Sequence, residues 1–371
     1  MAIDHHPWVP QTDDGHVDLA SHDTWVDGTP YTTLHRLRDE DPVAWIVEEE
    51  GSGFWAVTRY ADVVDLNHRW NDFTSYQGIR LEEMDAEETE ARRTLMELDP
   101  PDHTRLRRLV NRGFTRQTVE SYEEPIRKLT GEILDNALAH GEFDFVGEVA
   151  RVLPMRMLGR LLGVPDEDAE QLVEWGDQLL SNSDPEYTDH VVDQVDTDEF
   201  RLIPFRSPAG LEVFRYAQEA AAHRRGCPHD DVISRLLAPT SDGTPLTDLE
   251  FNNFFAVLVA AGNDTTRYSL TEGLRALVDH PDQMQALRDD PSIINTAVEE
   301  ILRWTTVTTH FRRTATSDQE LHGRTIREGD KVVLWWVGAN YDERKFDDPY
   351  RFDLRRDPND HVTFGLNGPH L

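Results

Sequence analysis

Cysteine is nearly absent from this 371-residue chain. Cys227 stands alone, so an intrachain disulfide framework is excluded. Lysine is almost as scarce, at Lys128, Lys331 and Lys345 only. Positive charge as a whole is short: 37 Lys plus Arg face 71 Asp plus Glu, a net charge of -34. Such a surface repels phosphate backbones, so no nucleic-acid partner is expected. No apolar run reaches the roughly 20 residues that a membrane span requires. The opening "MAIDHHPWVPQTDDGHVDLA" lacks the basic and apolar regions of a secretory leader. Internal repeats and Gly/Ser-rich linkers are also missing. These absences together lead to the expectation of a cytoplasmic protein.

Against them stands enough apolar material for a substantial core. The hydrophobic fraction of 38%, with Trp and Phe spread along the chain, excludes wholesale disorder. The length suits one large domain or two ordinary ones. Excess carboxylate with scarce lysine points to adaptation to high salt, where self-repulsion is screened. GC-rich coding is the alternative; it accounts for arginine replacing lysine but leaves the acidity unexplained.

Helical spacing dominates the chain. It runs over 31–45 until a proline, then over 54–69 as a short strand followed by a helix. The stretch 88–115 is charged, breaks at Pro100-Pro101 and resumes as a basic helix. Helices fill 117–181, a Pro- and Asp-rich connection covers 182–210, and another helix covers 209–225. Residues 319–343 read as short strands. The pattern is mainly α with small β-sheets and has no regular βαβ alternation.

The segment "TDLEFNNFFAVLVAAGNDTTRYSLTEGLRALVDHP" (247–281) is the most informative. Thr247 and Glu250 have capping-box spacing and Pro281 closes the pattern. A helix of this length spans roughly 45 Å. Its first half is apolar, and then Gly262, Asn263, Asp264, Thr265 and Thr266 interrupt the pattern. A carboxylate and hydroxyls inside a buried helix are unfavourable unless paired or used. The Thr265 hydroxyl can bond the carbonyl of Ala261 one turn back. At Gly262 the missing Cβ leaves room for a flat group against the backbone. Further on, Glu300 and Arg303 stand three apart on one helix face, flanked by Ile301, Leu302 and Trp304. "HFRRTAT" then carries Arg312 and Arg313 in an extended segment.

Over essentially its whole length the chain resembles a bacterial cytochrome P450. "AAGNDTT" (260–266) is similar to the oxygen-activating motif of that family's long central helix, and "EEILR" (299–303) contains its Glu-x-x-Arg pair. "DPPDHTRLRRLV" (99–110) resembles the helix that reaches a haem propionate. "YDERKFDDPYRFDLRRDPNDHVTFG" (341–365) resembles the meander before the haem loop. Four motifs in the family's order make the resemblance specific. "SNSDPEY", "AGNDTTR" and "FRRTAT" look most like the branch that hydroxylates sterols, terpenoids and branched lipids. The implied fold is one cytochrome P450 domain over 1–371, truncated at its C-terminus. In the family pattern "FGxxGPHxC" a cysteine two residues after the histidine supplies the axial thiolate, which favours O–O cleavage. Here His370 is followed by Leu371 alone, so the ligand is expected at the next position, and no metal ligand is assigned within the chain. Cys227, in a polar loop, reads as a bystander thiol.

The resemblance assigns roles position by position. Asp264 and Thr265 match the acid–alcohol pair that guides protons to dioxygen. Gly262 matches the point where the helix passes over the haem. His103, Arg107, Arg313 and His370 match partners of the haem carboxylates. Glu300, Arg303 and Arg351 match a structural triad that locks the meander. Val307 and Thr308 match substrate-facing positions, with a hydroxyl at the second. Asn367 stands where glycine is frequent. The implied cofactor is haem b (iron protoporphyrin IX). Electrons would come from NAD(P)H through ferredoxin reductase and ferredoxin. Arg105, Arg108, Arg112, Arg355 and Arg356 are candidates for the docking patch, or else only pair with nearby carboxylates. Two readings follow: a monomeric haem–thiolate monooxygenase acting on a hydrophobic small molecule, or a truncated P450-like domain without catalysis that binds haem weakly, or a lipid.

Overall fold

A computed structural model describes residues 18–366 apart from 27, 49, 50, 193, 241 and 242, and nothing of the side chain of Arg112. The chain divides into two compact units, residues 1–83 with 272–371 and residues 84–271. It is mostly helical with small sheets, as the sequence pattern predicts.

The first unit opens with α1 (Asp23–Val26), α2 (Tyr31–Glu40), β1 (Val43–Ile46), β2 (Phe54–Val57), α3 (Tyr60–His68) and β3 (Phe73–Thr74). The second unit then supplies α4 (Ala86–Arg92), α5 (Asp102–Val110), α6 (Arg116–Ser121), α7 (Glu123–Leu138), α8 (Val152–Leu162), α9 (Asp166–Leu180), α10 (Ala209–Gly226) and α11 (Val232–Leu236). α12 (Asp248–Asp279) begins in the second unit and ends in the first. The first unit closes with α13 (Pro281–Asp289), α14 (Ile294–Thr305), β4 (His310–Ala315), β5 (Gln319–Leu321), β6 (Arg324–Ile326), β7 (Lys331–Trp335) and α15 (Trp336–Ala339).

In the first unit a five-stranded sheet runs β1-β2-β7-β4-β3, and β5 and β6 form a separate hairpin. β7 lies parallel to β2 (Trp55 opposite Val332) and antiparallel to β4 (Arg313 opposite Val332). Side chains alternate across a strand, and the two faces are packed accordingly. Ala44, Ile46, Phe54, Ala56, Val333 and Trp335 face Leu34 and Leu37 of α2. Val43, Val57, Val332 and Leu334 face Val63 and Leu66 of α3. β7 is buried at every position, which explains its unbroken apolar run after Lys331. Lys331 itself is buried and pairs with Glu48 and with Glu83, the latter at 3.0 Å.

The second unit is a helix assembly. Leu129, Ile133 and Ala137 of α7 pack with Val149. α9 approaches α12 closely at Gly176, where a Cβ would lie 3.2 Å from the Val259 carbonyl oxygen. α12 starts with the expected capping box: Glu250 N donates to Thr247 Oγ1 at 3.1 Å and Thr247 N to Glu250 Oε2 at 2.8 Å. The polar residues 262–266 leave the helix unbroken, because the Thr265 hydroxyl donates to Ala261 O at 3.1 Å without displacing the ladder. Between α9 and α10 the connection holds two short 3₁₀ turns, Asp198–Phe200 and Pro204–Arg206.

Candidate active site

Within the second unit, α12 presents Ala261, Gly262, Thr265 and Thr266 as an exposed strip in the middle of a helix whose Phe251, Phe254, Phe255 and Val259 are buried. These positions share one face, as the 3.6 period requires. A Cβ at Gly262 would meet Leu158 Cδ1 of α8 at 2.9 Å, the end of a flexible side chain that would have to shift. Asn263 is buried, and neither amide atom of its side chain finds a partner among the described residues.

Asp264 is one-fifth exposed, with 21% of its side chain reached by solvent. Burial pushes its carboxyl above the usual carboxylate range, with the Asp177 charge adding to the rise and the Arg267 guanidinium opposing it. Arg267 Nη2 donates to Asp264 Oδ1, and Arg267 Nη1 reaches Asp177 Oδ1 and Oδ2 at 3.0 and 3.1 Å. Arg151 Nη2 contacts Asp177 Oδ2 at 3.4 Å. One guanidinium therefore bridges two carboxylates. Sequence reading singled out Asp264 but missed Asp177. The available signal was an acid on the apolar face of α9, beside Ala169, Leu172, Val173 and Gly176.

His103 and Arg107 lie one turn apart on α5, His103 buried and Arg107 half-buried. The Arg107 side chain makes no hydrogen bond or ion pair among the described residues. In the first unit, Arg313 is buried on β4. Its Nη2 donates to Asn67 Oδ1 at 3.1 Å, and Asn67 Nδ2 donates to Gly365 O at 2.7 Å. Asn67 thus links Arg313 to the loop that ends the described chain. Sequence reading missed it, although it sits with Val63 and Leu66 on the buried face of α3. His370 lies outside the described residues. Val307 and Thr308 are half-buried in the turn between α14 and β4.

Glu300 and Arg303 are both fully buried. Arg303 Nε and Nη2 donate to Glu300 Oε2 and Oε1 at 2.8 and 2.9 Å, and Arg303 Nη1 to Asn340 O at 2.8 Å. Glu300 also accepts from Asp353 N, Arg356 Nε and Asn359 Nδ2, at 3.0, 3.1 and 3.1 Å. The third member of this group is therefore Arg356 and not Arg351. Arg351 is 62% exposed and its nearest carboxylate is Asp353 at 3.9 Å. Its neighbour Phe352 is buried, which turns residue 351 outward. Of the arginines considered for docking, Arg356 serves Glu300, Arg105 pairs with Glu250, and Arg355 pairs with Asp290 at 3.2 Å. Asn340 donates from Nδ2 to Thr306 Oγ1 and Thr363 Oγ1, at 2.9 and 3.0 Å, and its Oδ1 accepts from Val362 N at 2.8 Å. That buried amide joins the loop before the chain's end to the end of α14.

Cys227 is exposed, with Sγ 3.7 Å from His229 Nε2. No group of three His, Cys, Asp or Glu residues suited to a metal ion occurs among the described residues. No helix among them is long and apolar enough to cross a membrane.

The family model described as Cytochrome P450 matches residues 55–364. A steroid C26-monooxygenase of Mycobacterium bovis is 35% identical over 358 residues, covering 93% of this chain and 79% of that protein. A methyl-branched lipid omega-hydroxylase of Mycobacterium tuberculosis is 35% identical over 377 residues, covering 98% of this chain and 85% of the relative. Among solved structures, a cytochrome P450 of Mycobacterium marinum in complex with pseudoionone superposes with a TM-score of 0.82 at 38% identity. It covers 91% of this chain and 82% of that one.

Proposed function

This chain belongs to the cytochrome P450 family, and from that membership we propose a haem–thiolate monooxygenase that hydroxylates a hydrophobic small molecule. The substrate class we propose is the sterol, terpenoid or branched-lipid kind. Relatives named for steroid and methyl-branched lipid oxidation support it, as does the similarity to a structure holding pseudoionone. Two electrons would come from NAD(P)H through a ferredoxin reductase and a ferredoxin, and the enzyme would work as a cytoplasmic monomer.

The residues present fit a haem. A haem carries two carboxylates, and Arg107 is a half-buried cation that no described residue satisfies. His103, Arg107, Arg313 and His370 are the side chains we assign to the propionates, and Gly262 to the backbone beside the ring. When bound, the haem supplies the iron at which dioxygen is reduced and one oxygen atom is inserted into a C–H bond. The protein supplies the protons. The Asp264 carboxyl, whose proton burial holds more firmly than in an ordinary carboxylate, is the group we assign to proton delivery. The Thr265 hydroxyl spends its proton on Ala261 O, so its lone pairs are left to accept a hydrogen bond from water. Val307 and Thr308 are assigned to the substrate side.

The observation that carries the reading is this acid–alcohol pair in the middle of α12, with Thr265 on the exposed strip and the Asp264 carboxyl largely buried beside it. Thr265→Ala, in enzyme carrying its haem-ligand cysteine, should keep substrate affinity and divert electrons into peroxide. Product formed per NAD(P)H consumed is the measurement, on a panel of sterols, terpenoids and methyl-branched lipids. Unchanged coupling would remove Thr265 from proton delivery, and a panel without any binder would remove the substrate class.

A further inference from the structure

Asp177 occupies an unfavourable place. It lies in the last turn of α9, where the helix dipole disfavours a carboxylate. It is also buried, with 8% of its side chain exposed, so its charge is desolvated. What holds it there is Arg267, through one nitrogen touching both Asp177 oxygens, with Arg151 assisting from the start of α8. The other Arg267 nitrogen holds Asp264. The same guanidinium is thus divided between an acid on α12 and an acid on α9. Whatever draws it towards one weakens its grip on the other.

We propose that Asp177 is a positioning residue which, through Arg267, sets whether Asp264 holds or releases its proton. The inference rests on the reading of Asp264 as the proton-delivering acid only for its functional consequence. The groups that face this pair are Arg267 and Tyr268 on α12, Asp177 on α9, Arg151 at the start of α8, and Tyr187 in the connection after α9. The Arg267 guanidinium lies over the Tyr268 ring at 5.1 Å, which limits its swing. Asp177 acts in two ways of one sign. Its negative charge directly disfavours ionisation of Asp264, and its hold on Arg267 withholds part of the countercharge. Both favour the protonated form of Asp264. Arg151 acts oppositely, because it offsets part of the Asp177 charge and so frees Arg267 for Asp264.

The test is an infrared titration of the Asp264 carboxyl band on the full chain, isolated by subtracting the D264N spectrum. D177N should move the Asp264 midpoint down by about one pH unit or more, the usual size of a neighbouring-charge effect. R151Q should move it up. A purely structural tie predicts something else: its loss would admit water and lower the midpoint in both variants. An unmoved midpoint in D177N, or a downward move in R151Q, overturns the proposal. Arg151 is partly exposed, so R151Q provides the decisive sign even if D177N folds poorly. Peroxide yield against pH in the haem-loaded enzyme separates the two claims. If the midpoints move as stated and the yield does not follow them, the role of Asp264 in proton delivery fails while the role of Asp177 stands.

Discussion

Substituting Arg356 by methionine tests the buried charge centre of the first unit most sharply, because Arg351 in the same segment provides a built-in control. The wild-type Arg356 side chain donates from Nε to Glu300, whose carboxylate is fully buried. Its remaining nitrogens hold the carbonyls of Asp347, Asp348 and Arg351 at 2.7, 3.1 and 2.9 Å. A hydrogen bond to a buried charge contributes about 1.5–3 kcal/mol. The three carbonyls are near solvent and add less, so the loss should be about 2–4 kcal/mol. Glu300 keeps Arg303, which is why the loss stays below that for E300A. There two guanidiniums would be left without their carboxylate, a change of about 3–5 kcal/mol. Arg351 is mostly exposed and nearly unpaired, so R351M should fall within about 0.5 kcal/mol. A readout local to α14 is needed, because a global melting curve sums over both units. Amide hydrogen exchange of residues 294–305 reads the right one. At tenfold per 1.4 kcal/mol, R356M should accelerate exchange roughly 30- to 700-fold where opening limits it. Equal acceleration in R351M, or none in R356M, would refute the assignment of Arg356.

Three further outcomes are expected. His310 is packed against Trp335, with ring centroids 4.5 Å apart, and burial with the nearby Arg80 charge lowers its pKa to about 4. Its folded value is depressed, so the unfolded chain binds the proton first. The contribution is whole above about pH 6.5 and is lost between there and about pH 4, by roughly 3 kcal/mol at most; H310F should flatten urea stability across that window. At a net charge of -34, raising chloride should raise the melting temperature most steeply at low salt, where the Debye length falls from roughly 30 Å at 0.01 M to 10 Å at 0.1 M. A flat response into molar salt would remove the salt-adaptation reading. Lys331→Met leaves the nearly buried Glu48 without its cationic partner, with Gly53 N still donating to it, and should lower stability by about 3–5 kcal/mol in urea titration; a loss under 1 kcal/mol would show that Glu48 turns to solvent.

The sequence by itself determined the element types and most of their limits. Apolar spacing, capping residues and prolines act over three or four residues, so α12, α9, α10 and the strand-helix pair at 54–68 are legible locally. So were Asp264, Thr265, Glu300 and Arg303, because charged and hydroxyl groups stand out against an apolar register. What only the tertiary structure decided is which partner each charge takes. Arg351 and Arg356 lie five residues apart in one meander, and nothing local says which of them turns inward. Packing of Phe352 and the carbonyls of the turn decide it. Asp177 and Arg267 are separated by 90 residues in sequence, and Asn67 and Arg313 by 246. Their pairing depends on how closely two helices, or a helix and a strand, approach. That approach is set by long-range packing such as Gly176 against the Val259 backbone, which no window of the sequence contains.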